Sequence, residues 1–177
     1  QLAEWVCALR LSDLPDEIVA DAKSRVLDIL GTTLAASSFE RSKCIRDGAV
    51  LTGAGNDARV IGHGDYASTA GAALANGTMA HALDYDDTHM ESVVHATAVT
   101  LPTALVVAAR EGASGRDLLT TYIAGMEAAI RIGEAPKVGF HQRGYHATGV
   151  VGHFASSLVA GKLLGLDAAQ LATAQGI

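Results

Sequence analysis

The sequence predicts an all-α protein, a multi-helix bundle formed by one domain over residues 1–177. Three observations support this prediction. Alanine, which has the highest helix propensity, is abundant, whereas proline occurs three times in 177 residues. Apolar residues recur every three to four positions along most of the chain. No convincing set of strands that could build a sheet is evident. Hydrophobic residues make up 49% of the chain, which is enough to form a core.

Start signals and apolar spacing place eight helices along the chain. The second helix opens with Ser12-Asp13-Leu14-Pro15-Asp16, where proline and acidic residues suit a first turn. Ser114 opens the sixth helix, and Asp167, with Gln170 three residues later, opens the eighth through a capping box. Pro102 lies within the fifth helix and predicts a kink or a late start. The predicted helices span residues 2–9, 12–34, 40–51, 68–82, 96–111, 114–130, 149–164 and 167 onward.

Three stretches between the helices carry little helical pattern. Residues 53–65 are rich in glycine, asparagine and aspartate and are predicted to be irregular, with a short extended segment at 58–61. Residues 84–95 and 135–146 are predicted to be polar loops. Six of the seven histidines fall between His81 and His153, and five of these lie within or beside the two loops. Because functional groups favour loops held by a rigid scaffold, we expect the active site there.

The charge and the cysteines narrow the class of protein. The net charge is −6 and no run of lysine or arginine occurs, so nucleic-acid binding, which requires neutralised phosphates, is not expected. No apolar run reaches the roughly 18 residues of a membrane span, and the first residues do not have the pattern of a signal peptide. Cys7 and Cys44 are isolated, which is typical of a reducing compartment. We therefore expect a cytoplasmic protein with no membrane partner.

Several motifs, taken in order, resemble those of the MmgE/PrpD family. NGTMAHALDYDDT at residues 76–88 is similar to the family's NGT…HALDFDDT, and RGYHATG at residues 143–149 is similar to RGFHPTG. SGRDLL at residues 114–119 also fits. KLLGLD at residues 162–167, followed by AQGI at residues 174–177, resembles KLLGLD…ALGI. The resemblance therefore spans nearly the whole chain.

This resemblance implies a helical domain joined to a smaller α/β domain, a homodimer, and an active site in the cleft between the domains. It also implies catalysis without a metal or an organic cofactor. The family includes 2-methylcitrate dehydratase, cis-aconitate decarboxylase and iminodisuccinate epimerase, so the implied function is a lyase or isomerase of a small di- or tricarboxylate. Family members are more than twice as long as this chain. We therefore expect an incomplete helical domain that need not be active alone.

Carried over onto this sequence, the resemblance implies that Asp84, His95 and His146 are catalytic and that Thr88 binds substrate. His95 is followed by Ala96-Thr97 where the family usually has Pro-Ser. The sequence therefore leaves dehydration, decarboxylation and epimerisation open.

The chemistry of the loop side chains agrees with these roles. Proton transfer beside a carboxylate needs a general acid or base that titrates near neutral pH, as histidine does, and a carboxylate such as Asp84 can orient the imidazole. A polyanionic substrate needs positive charge. Arg131, Lys137 and Arg143, opposed only by Glu134, make the second loop locally basic. We predict that Lys137 and Arg143 bind substrate carboxylates, with Arg143 able to form two parallel hydrogen bonds.

Other polar residues are predicted to have structural roles. His81 is expected to orient a loop or cap a helix, and Asp86 and Asp87 are expected to cap the helix after the turn. His153 lies in an apolar helical pattern and is expected to be a core histidine with its hydrogen bonds satisfied.

Two other functions remain open. A set of imidazole and acidic side chains could bind a divalent ion in a metal-dependent hydrolase, although the spacing matches no zinc motif: His81, Asp84, Asp86, Asp87, His89 and His95. The chain could instead be a non-catalytic helical subunit or fragment that dimerises through helices rich in alanine and glycine. Stoichiometric bound metal would favour the hydrolase, and self-association through an exposed apolar surface would favour the subunit.

Overall fold

The computed structural model of the protein describes residues 1–52 and 55–176. Nine α-helices occur within these residues, which confirms the predicted all-α class. A 3-10 helix, Leu11–Asp13, follows the first of them. The α-helices are α1 (Leu2–Ala8), α2 (Asp16–Ser37), α3 (Glu40–Thr52), α4 (Thr69–His81), α5 (Ala96–Glu111), α6 (Gly115–Glu134), α7 (Gly139–Gln142), α8 (Ala147–Leu163) and α9 (Ala168–Ala174).

The predicted irregular stretch between α3 and α4 contains a two-stranded antiparallel ribbon. Strand β1 (Ala58–Arg59) pairs with strand β2 (Tyr66–Ala67), so the predicted extended segment is confirmed for its first two residues. The prediction for residues 53 and 54, like the motif position at residue 177, lies outside the described residues.

Asn76 of α4 anchors this ribbon to the helices. Its buried side chain accepts a hydrogen bond from the backbone N–H of Ile61 at 2.9 Å. It also donates one to the carbonyl of Arg59 at 3.0 Å. The amide thus supplies hydrogen bonds that a third strand would otherwise provide, and this gives the NGT motif a structural role.

Three helix starts follow the predicted start signals. Ser68 caps α4, Ser114 caps α6 and Asp167 caps α9; in each case the side-chain oxygen accepts a hydrogen bond from a backbone N–H in the first turn. Pro102 lies inside α5, which begins at Ala96, so the predicted late start is wrong.

The second predicted loop differs from the structure at two points. Helix α7 occupies Gly139–Gln142, where the sequence predicted no helix. Helix α8 begins at Ala147 rather than Gly149, because His146 caps it: its imidazole accepts a hydrogen bond from the backbone N–H of Gly149. Histidine is an uncommon cap, so no start signal was recognisable in the sequence at this position.

Helix α5 lies at the centre of the core. It packs against α4, α6 and α8, and α8 also packs against α6. Leu101 of α5, Tyr122 of α6 and Val159 of α8 are buried in one cluster. The hydroxyl of Tyr122 meets Thr97 Oγ1 at 2.8 Å, and burial raises the pKa of this phenol. This packing brings the end of α4 close to the starts of α5 and α8.

Lys162 of α8 fastens the N-terminal helix to the core. Its Nζ donates hydrogen bonds to the carbonyls of Val6, Cys7 and Leu9 at 2.6, 3.1 and 3.1 Å. Burial lowers the pKa of this amine. The lysine thus satisfies carbonyls that the end of α1 leaves without helical partners.

Within the described residues, no helix combines the length and the apolar character needed to span a bilayer.

Candidate active site

Three histidines meet where three helix ends come together. His81 is the last residue of α4, His95 is the N-cap of α5 and His146 is the N-cap of α8. The ring centroids of His81 and His95 are 4.6 Å apart, those of His81 and His146 are 5.9 Å apart, and those of His95 and His146 are 6.4 Å apart. The structure therefore brings together the two histidines predicted to be catalytic and adds a third.

Asp86 lies beneath this histidine cluster, which comprises His81, His95 and His146. Its side chain is fully buried. Both carboxylate oxygens lie 3.0 Å from His81 Nδ1, and Oδ2 also lies 3.2 Å from His95 Nδ1. The prediction that Asp86 caps a helix is therefore wrong. The turn after α4 directs this carboxylate inward, where the two imidazoles supply the partners that a buried charge requires.

Asp87, by contrast, does cap α5. The backbone N–H of Thr97 in the first turn of α5 donates to Asp87 Oδ1 at 3.3 Å. Oδ2 of the same carboxylate forms an ion pair with Arg25 of α2 at 3.0 Å. Asp87 thus secures the helix whose N-cap is His95.

Asp84 and Thr88 lie on either side of the His95 ring. Asp84 has a positive φ of 53°, and its side chain is 81% exposed with Oδ1 3.9 Å from His95 Nε2. Thr88 Oγ1 lies 3.3 Å from His95 Nδ1. Asp84 can therefore act on the side of His95 that faces solvent, whereas Thr88 contacts the side that faces Asp86.

His146 is biased towards its uncharged form. Partial burial lowers the pKa of His146, and the nearby imidazoles of His81, His95 and His141 lower it further, while Asp84 opposes them. An imidazole whose pKa lies below 6.5 is neutral at pH 7.

The starts of α5 and α8 are joined directly beside these rings. The backbone N–H of His95 donates to the buried Oγ1 of Thr148, in the first turn of α8, at 3.0 Å. Helix N-termini carry partial positive charge and unsatisfied N–H groups, which favour anions. Two such termini beside an imidazole cluster suit a substrate that carries carboxylates.

The two predicted cationic residues lie further along the second loop. Lys137 is exposed, with a φ of 53°, in the turn between α6 and α7, and Arg143 is exposed directly after α7. Within the described part of the chain, neither side chain forms an ion pair or a hydrogen bond. Arg131 differs, because it pairs with Glu127 one turn earlier in α6. The local excess of positive charge thus comes from Lys137 and Arg143.

A groove of about 810 Å³ opens beside the cluster between α4, α5 and α8. His81, His146 and Thr148 line one part of it, and Arg41 of α3 contributes a guanidinium. His153 of α8 also lines the groove and is exposed, so the prediction of a core histidine is wrong. The apolar pattern around it arises from residues on the other faces of α8.

Two histidines of the cluster and two neighbouring carboxylates could also hold a metal ion. His81, Asp84, Asp86 and His95 each offer one ligand atom, and these atoms lie within 4.8 Å of one another. Two imidazoles and two carboxylates form a donor set that suits zinc or another transition metal. In the described chain this group includes neither Asp87, which pairs with Arg25, nor His89, which contacts Ser92.

His81, Asp86 and Thr148 belong to the site, but His81 and Asp86 were predicted as site residues only in the metal-binding alternative, and Thr148 was not predicted. All three lie within the motifs quoted above, in NGTMAHALDYDDT and RGYHATG. A sequence signal was therefore present. The predicted helix end at residue 82 does lie between His81 and Asp86, but the sequence did not show that the turn after it brings the Asp86 carboxylate back to the His81 ring.

Three proteins of similar sequence are cis-aconitate decarboxylases or a protein described as like them. A cis-aconitate decarboxylase of Aspergillus terreus is 29% identical over 183 residues, covering 100% of this chain and 37% of the relative. The cis-aconitate decarboxylase-like protein oryM of Aspergillus oryzae is 31% identical over 190 residues, covering 100% and 38%. The mouse cis-aconitate decarboxylase is 29% identical over 171 residues, covering 93% and 35%. The chain thus spans little more than a third of the length of these relatives.

The family assignment rests on a separate match. The family model of the MmgE/PrpD N-terminal domain matches residues 1–177. Because this match covers the entire chain, the protein belongs to the MmgE/PrpD family.

Proposed function

We propose that the intact protein is a lyase or isomerase that acts on a small di- or tricarboxylate by general acid/base catalysis. The observation that carries this proposal is the convergence of His81, His95 and His146 at the joined N-termini of α5 and α8. Imidazoles exchange protons near neutral pH, and helix N-termini favour a polyanion. Proton transfer at a carbon beside a carboxylate needs a group that exchanges the proton and a site that holds the carboxylate.

Each predicted residue has a role in this proposal, and Thr88 binds substrate beside His95. His95 and His146 act on the proton and on the oxygen of the reacting group, and Asp84 faces the Nε2 side of His95. Lys137 and Arg143 bind substrate carboxylates when the site is covered. The names of the relatives support a tricarboxylate, since cis-aconitate carries three carboxylates. Product analysis distinguishes dehydration, decarboxylation and epimerisation.

The proposal extends to the intact protein. We infer that residues 1–177 belong to a helical domain that is joined to a second, α/β domain and that functions as a cytoplasmic homodimer without a metal or organic cofactor. The greater length of the relatives supports a further domain. Leu27 and Leu34, seven residues apart on α2, are 74% and 53% exposed and could pack against another surface. The intact mass of the purified protein tests the second domain, and light scattering tests the homodimer.

Turnover by the intact protein tests the proposed reaction. 2-Methylcitrate, cis-aconitate and iminodisuccinate should be offered separately, with product identified by NMR. We expect turnover of at least one, and we expect His146→Ala and Asp84→Ala to abolish it with little loss of fold. Glu4→Ala, which removes an exposed carboxylate on α1, is the control. Failure of all three substrates would reject this substrate class, and wild-type rates in both site variants would reject the assigned residues.

The four-residue metal-binding composition favours a second candidate, a metal-dependent hydrolase using His81, Asp84, Asp86 and His95. The two candidates differ in metal content. One equivalent of zinc, iron or manganese in the purified protein, with activity lost to a chelator and restored by the metal, would favour the hydrolase. Turnover of a carboxylate that resists chelation would favour the lyase or isomerase.

A further inference from the structure

We propose that Asp86 is a positioning residue that fixes the ring tautomers of His81 and His95, so that both present an unprotonated Nε2. We propose that the cap of α8 fixes His146 in the opposite tautomer. The tautomers are inferred from the hydrogen-bond geometry alone, whereas their role in catalysis rests on the proposed function.

The first half of the inference follows from what a carboxylate can do. A carboxylate only accepts hydrogen bonds. His81 Nδ1 lies 3.0 Å from both oxygens of Asp86, and His95 Nδ1 lies 3.2 Å from Oδ2. Nδ1 of His81 must therefore carry the proton to make this hydrogen bond. Nδ1 of His95 also lies 3.3 Å from Thr88 Oγ1, whose hydroxyl donates to the backbone carbonyl of Asp86 at 3.5 Å and so can accept from His95. A lone pair on His95 Nδ1 would face the carboxylate at 3.2 Å and be repelled, which places the proton of His95 on Nδ1 as well. A neutral imidazole has one N–H and one lone pair, so the lone pair of each ring is on Nε2.

The second half follows from the N-cap of α8. The backbone N–H of Gly149 donates to His146 Nδ1 at 3.4 Å. A nitrogen that accepts a hydrogen bond carries no proton, so in the neutral ring the proton is on Nε2. His95 and His146, with ring centroids 6.4 Å apart, therefore present opposite groups at Nε2: a proton acceptor and a proton-bearing donor.

These tautomers indicate which histidine removes the proton and which one stabilises the charge that develops. His95 Nε2 takes the proton from the carbon beside a substrate carboxylate, and a new N–H bond replaces the broken C–H bond. The electron pair of that C–H bond passes to the carboxylate oxygens. His146 Nε2–H donates a hydrogen bond to the charge that develops there and keeps its own proton. The positive charge gained by His95 is offset by Asp86, and the reverse step returns the proton to carbon.

His81 has a separate place in this arrangement. Its ring is 4.6 Å from that of His95, and its Nδ1 is 3.0 Å from both oxygens of Asp86. The second hydrogen-bond donor holds the plane of the carboxylate, because a carboxylate bound by one ring alone could rotate. His81 therefore acts as a positioning residue through Asp86.

Nitrogen NMR of the intact protein with ¹⁵N-labelled histidine tests the tautomers without any need for turnover. At pH 7.5 we expect Nδ1–H for His81 and His95 and Nε2–H for His146, with signals assigned through single His→Gln variants. The opposite tautomer at His95, or the same tautomer at His95 and His146, would overturn the inference. Stoichiometric metal bound to the purified protein would also overturn it, since Asp86 would then be a ligand.

A pair of variants tests the role of the carboxylate. Asp86→Asn can donate its amide N–H to His95 Nδ1 and so reverse that tautomer. We expect kcat to fall by about 10²- to 10⁴-fold with KM changed by less than about 3-fold. Asp87→Asn is the matched control, because Asp87 binds Arg25 and caps α5: we expect it to lower stability and leave the tautomers unchanged. Wild-type kcat in Asp86→Asn would contradict the inference.

Each outcome separates this inference from the proposed function. If the expected tautomers are observed but no carboxylate is converted, the proposed function fails while the role of Asp86 as a positioning residue stands. If a carboxylate is converted while the tautomers differ, the proposed function stands and this inference fails. Should Asp86→Asn not fold, the NMR of the wild-type protein still decides.

Discussion

Gly133 of α6 marks the place where the loop before His95 lies directly against a helix. A Cβ added there would be 2.7 Å from Val94 Cγ2 and 2.9 Å from Ser92 Cβ. Both neighbours are fully buried, so neither can swing into solvent. We therefore expect Gly133→Ala to push this loop away from α6 and to move His95, which follows Val94 in the chain.

The size of the effect comes from two opposing contributions. Carbon atoms in contact are normally about 3.5–4.0 Å apart, so the loop must shift by about 1 Å. Overpacking of this kind costs about 1–3 kcal/mol of unfolding free energy. Alanine in a helix gains about 1 kcal/mol over glycine. The net loss of stability should be about 0–2 kcal/mol. A displacement of about 1 Å at a catalytic group can lower turnover by about 10²-fold.

Gly31→Ala is the matched control, because Gly31 lies within helix α2 and nothing is within 4 Å of its added Cβ. This variant should gain about 0.5–1 kcal/mol. Urea unfolding of the intact protein measures both variants, and kcat/KM on the best carboxylate substrate measures the displacement. If Gly133→Ala gains as much stability as Gly31→Ala and keeps its kcat/KM, the close approach of loop and helix is wrong.

Three further predictions concern the anchors of the fold and the charge of the site. Asn76→Ala should cost about 2–4 kcal/mol, because it leaves the N–H of Ile61 and the carbonyl of Arg59 unpaired; urea unfolding measures this. Lys162→Met should cost about 1–3 kcal/mol and speed proteolysis within α1, and unchanged cleavage would count against the anchor. Since the pKa of His146 lies below 6.5, the unfolded chain binds that proton first, so stability should fall as pH drops below about 6.5 and then level off below the folded pKa. Unfolding of His146→Gln between pH 5 and 7.5 should lack this contribution.

Helix positions were predictable because their causes are local. Ser68 and Asp167 cap helices through side chains that reach only three residues along the chain. The ribbon was not predictable as a sheet, because strands of two residues show no alternation. It depends on Asn76, which is 15 residues from Ile61 in the sequence. Local signals therefore specified the helices, whereas distant contacts determined the short elements between them.

Asp86 and Asp87 show where sequence reasoning about the site reached its limit. They are adjacent, have the same side chain and received the same prediction. Asp87 caps α5, whereas Asp86 is buried against two imidazoles. The difference depends on which way the turn after α4 faces, and this is decided by the packing of α4 against α5. The motif supplied His95 and His146 as candidates, but 51 residues separate them, and only the fold shows their rings to be neighbours.

The exposure of the site has a consequence for the intact protein. Asp84 is 81% exposed, and Lys137 and Arg143 are exposed as well. Exposed charge pairs contribute only about 0–1 kcal/mol, because water screens them. Two such cations would bind a carboxylate weakly, and a solvated imidazole would lose its advantage as a base. Catalysis by these groups therefore requires a surface that excludes water from the cluster, and we expect this surface to come from a part of the intact protein outside residues 1–177. Solvent protection of Asp84 in the intact protein is the property that distinguishes a working site from an exposed set of polar residues.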